Sequence, residues 1–104
     1  MKIQLNTDSH IKGDQALEER VNAMLEQQLG RFFERLTRIE VHLADLNAGK
    51  SGPDDKHCAL EARIENADPI GVSHDDVNVE QAIRGACNKL KTRLDTHFDR
   101  LRSH

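Results

Sequence analysis

The chain has 104 residues, of which 37% are hydrophobic and 32% are charged, with a formal net charge of −3. This length suits one hydrophobic core, so we expect a single domain over residues 1–104. Its apolar residues recur at regular periods, which excludes a disordered chain. No stretch is long and apolar enough to span a bilayer, and the opening MKIQLNT lacks a signal-peptide core. We therefore expect a cytoplasmic protein without a membrane partner.

Charge and aromatic content restrict the kind of nucleic acid that the chain could recognise. Residues 78–104 hold six Lys/Arg and three Asp/Glu, net +3, whereas residues 1–77 hold nine Lys/Arg and fifteen Asp/Glu, net −6. The three aromatic residues are all Phe. Recognition of unstacked bases usually relies on exposed aromatic rings, so any nucleic-acid contact is expected to be with backbone and shape.

The first half of the chain predicts a strand, a helix and a second strand. Residues 2–7 alternate apolar and polar side chains, which is typical of a half-buried strand. Asp14 or a neighbour is expected to cap a helix whose apolar residues recur at steps of three and four as far as Phe32. Gly30 weakens the last turn but need not end it. Residues 37–46 return to alternation and predict the second strand.

The second half predicts two more strands and a long helix. Residues 47–56 contain two glycines and a proline and predict a long hairpin connection. Residues 57–66 alternate again as a third strand, residues 67–69 make a turn, and residues 70–74 form a short fourth strand. Asn78 is placed to cap the final helix.

The final helix, residues 78–104, has a basic stripe beside its apolar face. Its apolar residues recur at helical steps: Ala82, Ile83, Ala86, Leu90, Leu94, Phe98 and Leu101. Basic residues recur on the flank of that face: Lys89, Arg93, His97 and Arg100. Such a row suits a phosphate backbone or an acidic partner. The alternative is that these charges only solvate the outer side of a helix.

The predicted element order is β-α-β-β-β-α, an α+β fold. A right-handed crossover through the first helix makes the first two strands parallel neighbours, and the later hairpins extend the sheet antiparallel. Because each strand has one apolar face, both helices are expected to pack on the same side of a four-stranded mixed sheet.

No residue pattern typical of an enzyme or a metal site occurs. His42, His57, His74 and Cys58 lie on predicted strands, but none of the usual ligand spacings is present. Cys58 and Cys87 face the predicted core and are expected to be small buried thiols. We therefore expect no catalytic activity, no metal or other cofactor, and no small-molecule substrate.

Four segments carry a resemblance to a known family. They are the opening MKIQLN, the helix from AL at 16–17 to FFERL at 32–36, the strand IEVHL at 39–43, and the close AIRGACNKLKTRLDTHFDRLRSH at 82–104. Together they resemble the short ribosome hibernation factors, the family of hibernation-promoting factor and ribosome-associated inhibitor A. The resemblance extends over nearly the whole chain.

The resemblance implies a fold like that of double-stranded RNA-binding domains and a ribosomal partner. The domain would bind the small ribosomal subunit, through ribosomal RNA backbone, in the channel for messenger and transfer RNA. Translation would then be blocked by occupancy, under stress or in stationary phase. Both kinds of short factor, those that promote paired idle ribosomes and those that inactivate single ones, remain open.

The resemblance also implies which residues contact RNA. The implied RNA-binding residues are Lys89, Arg93, Arg100 and Arg102, with His97 beside them and Arg20 and Arg31 near the first helix. The family normally adds Lys and Arg on that first helix, whereas this chain has Glu18, Met24, Glu26 and Gln27 there. This departure leaves two readings: a weaker ribosome binder, or a diverged paralogue acting as a protein-interaction or weakly self-associating module without ribosome binding.

Overall fold

The computed structural model describes residues 1–46 and 56–102 and confirms the predicted element order. The strands are β1 (Lys2–Thr7), β2 (Arg38–Asp45), β3 (Lys56–Arg63) and β4 (Ile70–Asp76). The α-helices are α1 (Gln15–Leu29) and α2 (Val79–Arg102), and a 3-10 helix, Gly30–Arg35, follows α1. Most of the predicted hairpin connection, residues 47–55, and the last two residues of the predicted final helix lie outside the described residues.

The four strands form one mixed sheet in the order β1-β2-β3-β4. β1 is parallel to β2, and the other two pairs are antiparallel, as the crossover rule predicts. Leu5, Val41, Leu60 and Val72 lie side by side in one row across the sheet. Since side chains alternate along a strand, this row marks the apolar face. β1 and β4 form the two edges.

Both helices cover that apolar face and share one core with it. The largest fully buried side chains come from both helices and from β2 and β3: Leu25, Leu29, Ile39, Leu43, Leu60, Ile83, Leu90, Leu94, Val21, Val41, Cys58 and Cys87. α2 packs against β3, β4 and α1. The prediction of both helices on one side of the sheet is therefore confirmed, as is the burial of the two cysteines.

Each α-helix begins at the predicted capping residue. The N–H of Leu17 donates to Oδ1 of Asp14 at 2.9 Å, and the N–H of Gln81 donates to Oδ1 of Asn78 at 2.8 Å. Each cap satisfies one of the N–H groups that the first helical turn leaves without a partner. The sequence thus located both helix starts correctly.

The end of α1 differs from its prediction. The apolar period predicts a helix as far as Phe32, but the α-helix ends at Leu29 and the chain continues as a 3-10 helix. Leu29 has φ −123° and ψ 3°, outside the α region. Gly30 itself keeps α-helical angles, with φ −54° and ψ −34°, and its N–H donates to the carbonyl oxygen of Glu26. The chain then tightens into the 3-10 helix. The ring of Phe32 then lies 6.1 Å from that of Phe98, centroid to centroid.

The end of α2 also differs from its prediction, because the apolar face of the helix extends beyond the end of the sheet. Leu101 was expected in the core but is 55% exposed. α2 has 24 residues and spans about 36 Å. β4 has seven residues and spans about 23 Å, although it continues two residues beyond the predicted end at His74. The last turn of α2 therefore passes the core, and Phe98 is its last buried residue.

One close helix–strand contact depends on a glycine. The imidazole of His74 on β4 lies against Gly85 of α2, where a Cβ atom would be 2.1 Å from Cδ2 of His74. The Nε2 atom of His74 forms a hydrogen bond with Oδ2 of Asp76 at 3.0 Å. The ring therefore occupies the space that a side chain at position 85 would need.

We predict that Gly85→Ala destabilises the domain by about 1–3 kcal/mol, because the added methyl group overpacks this contact. Elsewhere inside a helix the same change stabilises by up to about 1 kcal/mol. Urea unfolding measures the difference, and the double variant Gly85→Ala/His74→Ala should recover part of the loss. A single variant more stable than the wild type would contradict the prediction.

Candidate nucleic-acid interface

Three of the predicted RNA-binding residues lie on one flank of α2. Lys89, Arg93 and Arg100 are four and seven residues apart, about one and two helical turns, and all three are exposed. This flank lies over the outer edge of β4. There the Nζ atom of Lys89 donates to the carbonyl oxygen of Ser73 at 2.8 Å, and Nη1 of Arg93 donates to that of Gly71 at 3.4 Å.

These backbone contacts hold two of the cations in place without neutralising them. A lysine ammonium has three N–H donors and an arginine guanidinium has five, so each keeps donors for a further ligand. A carbonyl group carries no net charge. Lys89 and Arg93 are therefore positioned along the strand edge with their positive charge intact.

Two grooves run along the line where α2 meets β4. The larger, of about 610 Å³, lies between Ser73 and Thr92, and the second, of about 460 Å³, lies between the turn at Pro69 and Arg100. Arg93 lines both grooves. We call this surface the β4/α2 seam and define it by Gly71, Ser73, Lys89, Thr92, Arg93 and Arg100.

His97 contributes to the wall of the second groove rather than to the exposed row. Its ring is half-buried and meets the ring of Phe98 edge-on, with the centroids 5.1 Å apart. Its Nε2 atom is buried and has no hydrogen-bond partner among the described residues. His97 therefore lies beside the row of cations but packs inward.

Arg102 and Arg31 lie apart from this row. Arg102 is nine residues beyond Arg93, about two and a half turns, and so projects from the opposite flank of α2. There it forms an ion pair with Asp99. Arg31 pairs with Asp95 at 2.8 Å on the same flank. The structure therefore does not bring these two arginines to the β4/α2 seam.

The hydrogen bond between Arg31 and Asp95 shifts the titration of both groups. The donated N–H holds the pKa of the Asp95 carboxyl below its ordinary value and raises the pKa of Arg31. A hydrogen bond to the charged form of a group favours that form. The charge of Arg31 is thus largely balanced within the protein.

The exposed face of α1 is acidic, as its sequence indicates. Its one arginine, Arg20, lies 3.7 Å from the carboxylate of Glu80. Glu18, Glu26 and Gln27 are exposed, whereas Met24 is partly buried against the core. α1 therefore adds no unpaired cation to an RNA-binding surface.

The sequence patterns do not indicate the part of the candidate interface that comes from β4. Gly71 and Ser73 carry no charge and match no motif, yet their carbonyl groups position the cations of α2. The position of β4 as the last strand in chain order was the available signal, because the hairpin order makes it an edge.

Several other kinds of site are absent from residues 1–46 and 56–102. Within these ranges, His, Cys, Asp and Glu side chains nowhere gather in threes that could hold a metal ion, and neither α-helix could cross a membrane. Burial raises the pKa of Cys58 to about 12 and that of Cys87 to about 11. Both thiols are therefore protonated and unreactive at neutral pH.

Comparisons with known proteins agree with this fold. The sequence model of the family described as "Sigma 54 modulation protein / S30EA ribosomal protein" matches residues 4–102. The Protein Y N-terminal domain of Thermus thermophilus is similar at a TM-score of 0.72 and 16% identity, covering 93% of this chain and 99% of that one. A ribosomal subunit interface protein from Coxiella burnetii gives the same TM-score and identity, covering 95% and 99%. No curated protein matches the chain.

Removing the partner of Asp95 should change its titration. We predict that Arg31→Gln raises the pKa of Asp95 toward its ordinary value, because the hydrogen bond that favours the carboxylate is lost. Arg35→Gln is a matched control, since Arg35 lies over the ring of Phe98. NMR titration of the carboxyl carbons gives both values. An unchanged pKa of Asp95 in the Arg31→Gln variant would show that Arg31 does not donate to Asp95 as described.

Proposed function

The chain belongs to the sigma 54 modulation protein / S30EA ribosomal protein family, and we propose that it is a ribosome-associated translation inhibitor. In this proposal it binds the small ribosomal subunit through the β4/α2 seam and contacts the backbone of ribosomal RNA. It then occupies the channel of messenger and transfer RNA in the cytoplasm, under stress or in stationary phase. Because the action is steric, it needs no catalytic residue, cofactor or small-molecule substrate.

The observation that carries this proposal is that three cations at the β4/α2 seam are not paired with carboxylates of the described residues. Lys89, Arg93 and Arg100 lie on one flank, and among the described residues none of them forms an ion pair with a carboxylate. By contrast, Arg31 and Arg102 are paired with Asp side chains. Three adjacent cations with unused donors are suited to several phosphate groups of one RNA segment.

The acidic remainder of the chain supports a defined orientation on RNA. The protein has a formal net charge of −3, so its body is repelled by phosphate while the seam is attracted. The exposed carboxylates of α1, including Glu18 and Glu26, lie on another element from the seam cations. The protein is therefore expected to approach RNA with α2 and β4 foremost and α1 away from it.

The alternative, a protein-interaction or self-associating module, gains little from the outer sheet face. Glu40 pairs there with Arg38 at 3.0 Å and with Arg63 at 3.1 Å, so the face carries charges. Ala44 and Ala59 are half-buried. A face of this composition is typical of a solvated surface, and it gives self-association no specific support.

We predict that Arg93→Gln/Arg100→Gln greatly weakens co-sedimentation with purified small subunits. Each lost phosphate contact should lower the slope of log affinity against log salt by about one, so the double variant should lose about two. Arg84→Gln/Arg102→Gln removes the same charge from the other flank and is the matched control. Pelleting at about 50 mM and about 200 mM salt measures the slope.

Three results decide the proposal. Loss in the seam variant with retention in the control is the expected one. Equal binding by both variants would contradict a role for the seam. Wild-type protein that pellets at neither salt concentration, and that forms a stable dimer by light scattering, would contradict ribosome binding and favour the self-associating module.

A further inference from the structure

The outer edge of β4 presents backbone groups that the sheet does not use. β4 is the last strand of the sheet order, and the carbonyl groups of Gly71 and Ser73 point outward to Arg93 and Lys89. In an antiparallel strand, the N–H and C=O of one residue point to the same side. The N–H groups of Gly71 and Ser73 therefore also point outward, whereas the N–H and C=O of Val72 point toward β3.

Among the described residues, the outer edge of β4 has free hydrogen-bond donors but occupied acceptors. Its outward carbonyl groups at Gly71 and Ser73 already accept from side chains of α2, while its outward N–H groups donate to no residue in the described part of the chain. An additional β-strand would need both donors and acceptors along the edge. A ligand with acceptors only needs the donors alone, and sheet edges with free N–H groups are known to suit anions.

The size and charge of the adjoining groove fit the same kind of ligand. The groove of about 610 Å³ between Ser73 and Thr92 has the size of a small-molecule site and is large enough for a nucleotide. Lys89 and Arg93 supply positive charge at its wall. Gly71 and Ser73 line this groove, so the strand backbone is accessible from it.

We propose that the free edge of β4 is itself part of the RNA interface. The backbone N–H groups of Ser73 and Gly71 donate to phosphate oxygens of a single RNA strand that runs along the β4/α2 seam. The two N–H groups lie about 6.6 to 6.8 Å apart along the strand. Lys89 and Arg93 then serve twice: they cover the carbonyl groups that would repel phosphate, and they bind the same phosphates. This inference rests on the proposed function.

A proline substitution tests the edge donor separately from any charge. Ser73→Pro removes the outward N–H and no ladder hydrogen bond, and proline is tolerated in edge strands where the N–H faces solvent. Ser73→Ala loses the hydroxyl group but keeps the N–H and is the matched control. We expect Ser73→Pro to bind purified small subunits about tenfold more weakly, the effect of one hydrogen bond to a charged group. The salt slope should be unchanged, because no cation is lost.

The outcomes separate this inference from the proposed function. If the wild type and Ser73→Ala bind and Ser73→Pro binds more weakly, both the edge contact and the proposed function are supported. Equal binding by all three proteins overturns the edge contact and leaves ribosome binding intact. Wild-type protein that does not bind overturns both.

A second measurement avoids any dependence on the folding of the proline variant. The wild-type domain is titrated with a short single-stranded uridine oligonucleotide while its amide resonances are followed by NMR. The amides of Gly71 and Ser73 should shift more than that of Val72, which points toward β3. Shifts along α2 without a shift at Ser73 would overturn the inference.

Discussion

The packing of α2 across β3 and β4 is the constraint on which the rest of the structure depends. Ile83, Leu90 and Leu94 lie on the buried side of this helix. Burying each of these side chains contributes about 1.5–3 kcal/mol to the free energy of folding. Because this apolar stripe fixes the rotation of α2 about its axis, it also fixes the direction of every other side chain on it. One flank therefore lies over the edge of β4, and the other faces α1 and the 3-10 helix.

That rotation sorts the cations into two groups with different roles. On the flank toward the 3-10 helix, Arg31 meets Asp95 and its charge is balanced. On the flank toward β4, Lys89 and Arg93 donate to backbone carbonyl groups, and no carboxylate of the described residues pairs with them. Exposed ion pairs contribute little to stability, about 0–1 kcal/mol, so the main effect of this sorting is electrostatic. A protein with a negative total charge acquires one surface where positive charge is held and available.

The sequence predicted the features that depend on local periods and failed where tertiary structure decides. The caps at Asp14 and Asn78 and the order of the elements follow from patterns within a few residues. The exposure of Leu101 does not, because its helical period continues beyond the end of the sheet. The pairing of Arg31 with Asp95 does not follow from local patterns either, because the two residues are 64 positions apart along the chain. The outward direction of the Ser73 carbonyl group depends on the hydrogen-bond pattern at a sheet edge, which composition does not encode.

The protection of an introduced thiol tests most directly whether the β4/α2 seam contacts the small subunit. The native thiols of Cys58 and Cys87 are buried, so within this protein a thiol reagent would report on an added cysteine. Thr92→Cys places one in the seam, and Ala23→Cys places one on the exposed face of α1. Purified small subunits should slow labelling at position 92 and leave position 23 reactive. Protection at position 23 with none at position 92 would contradict the account.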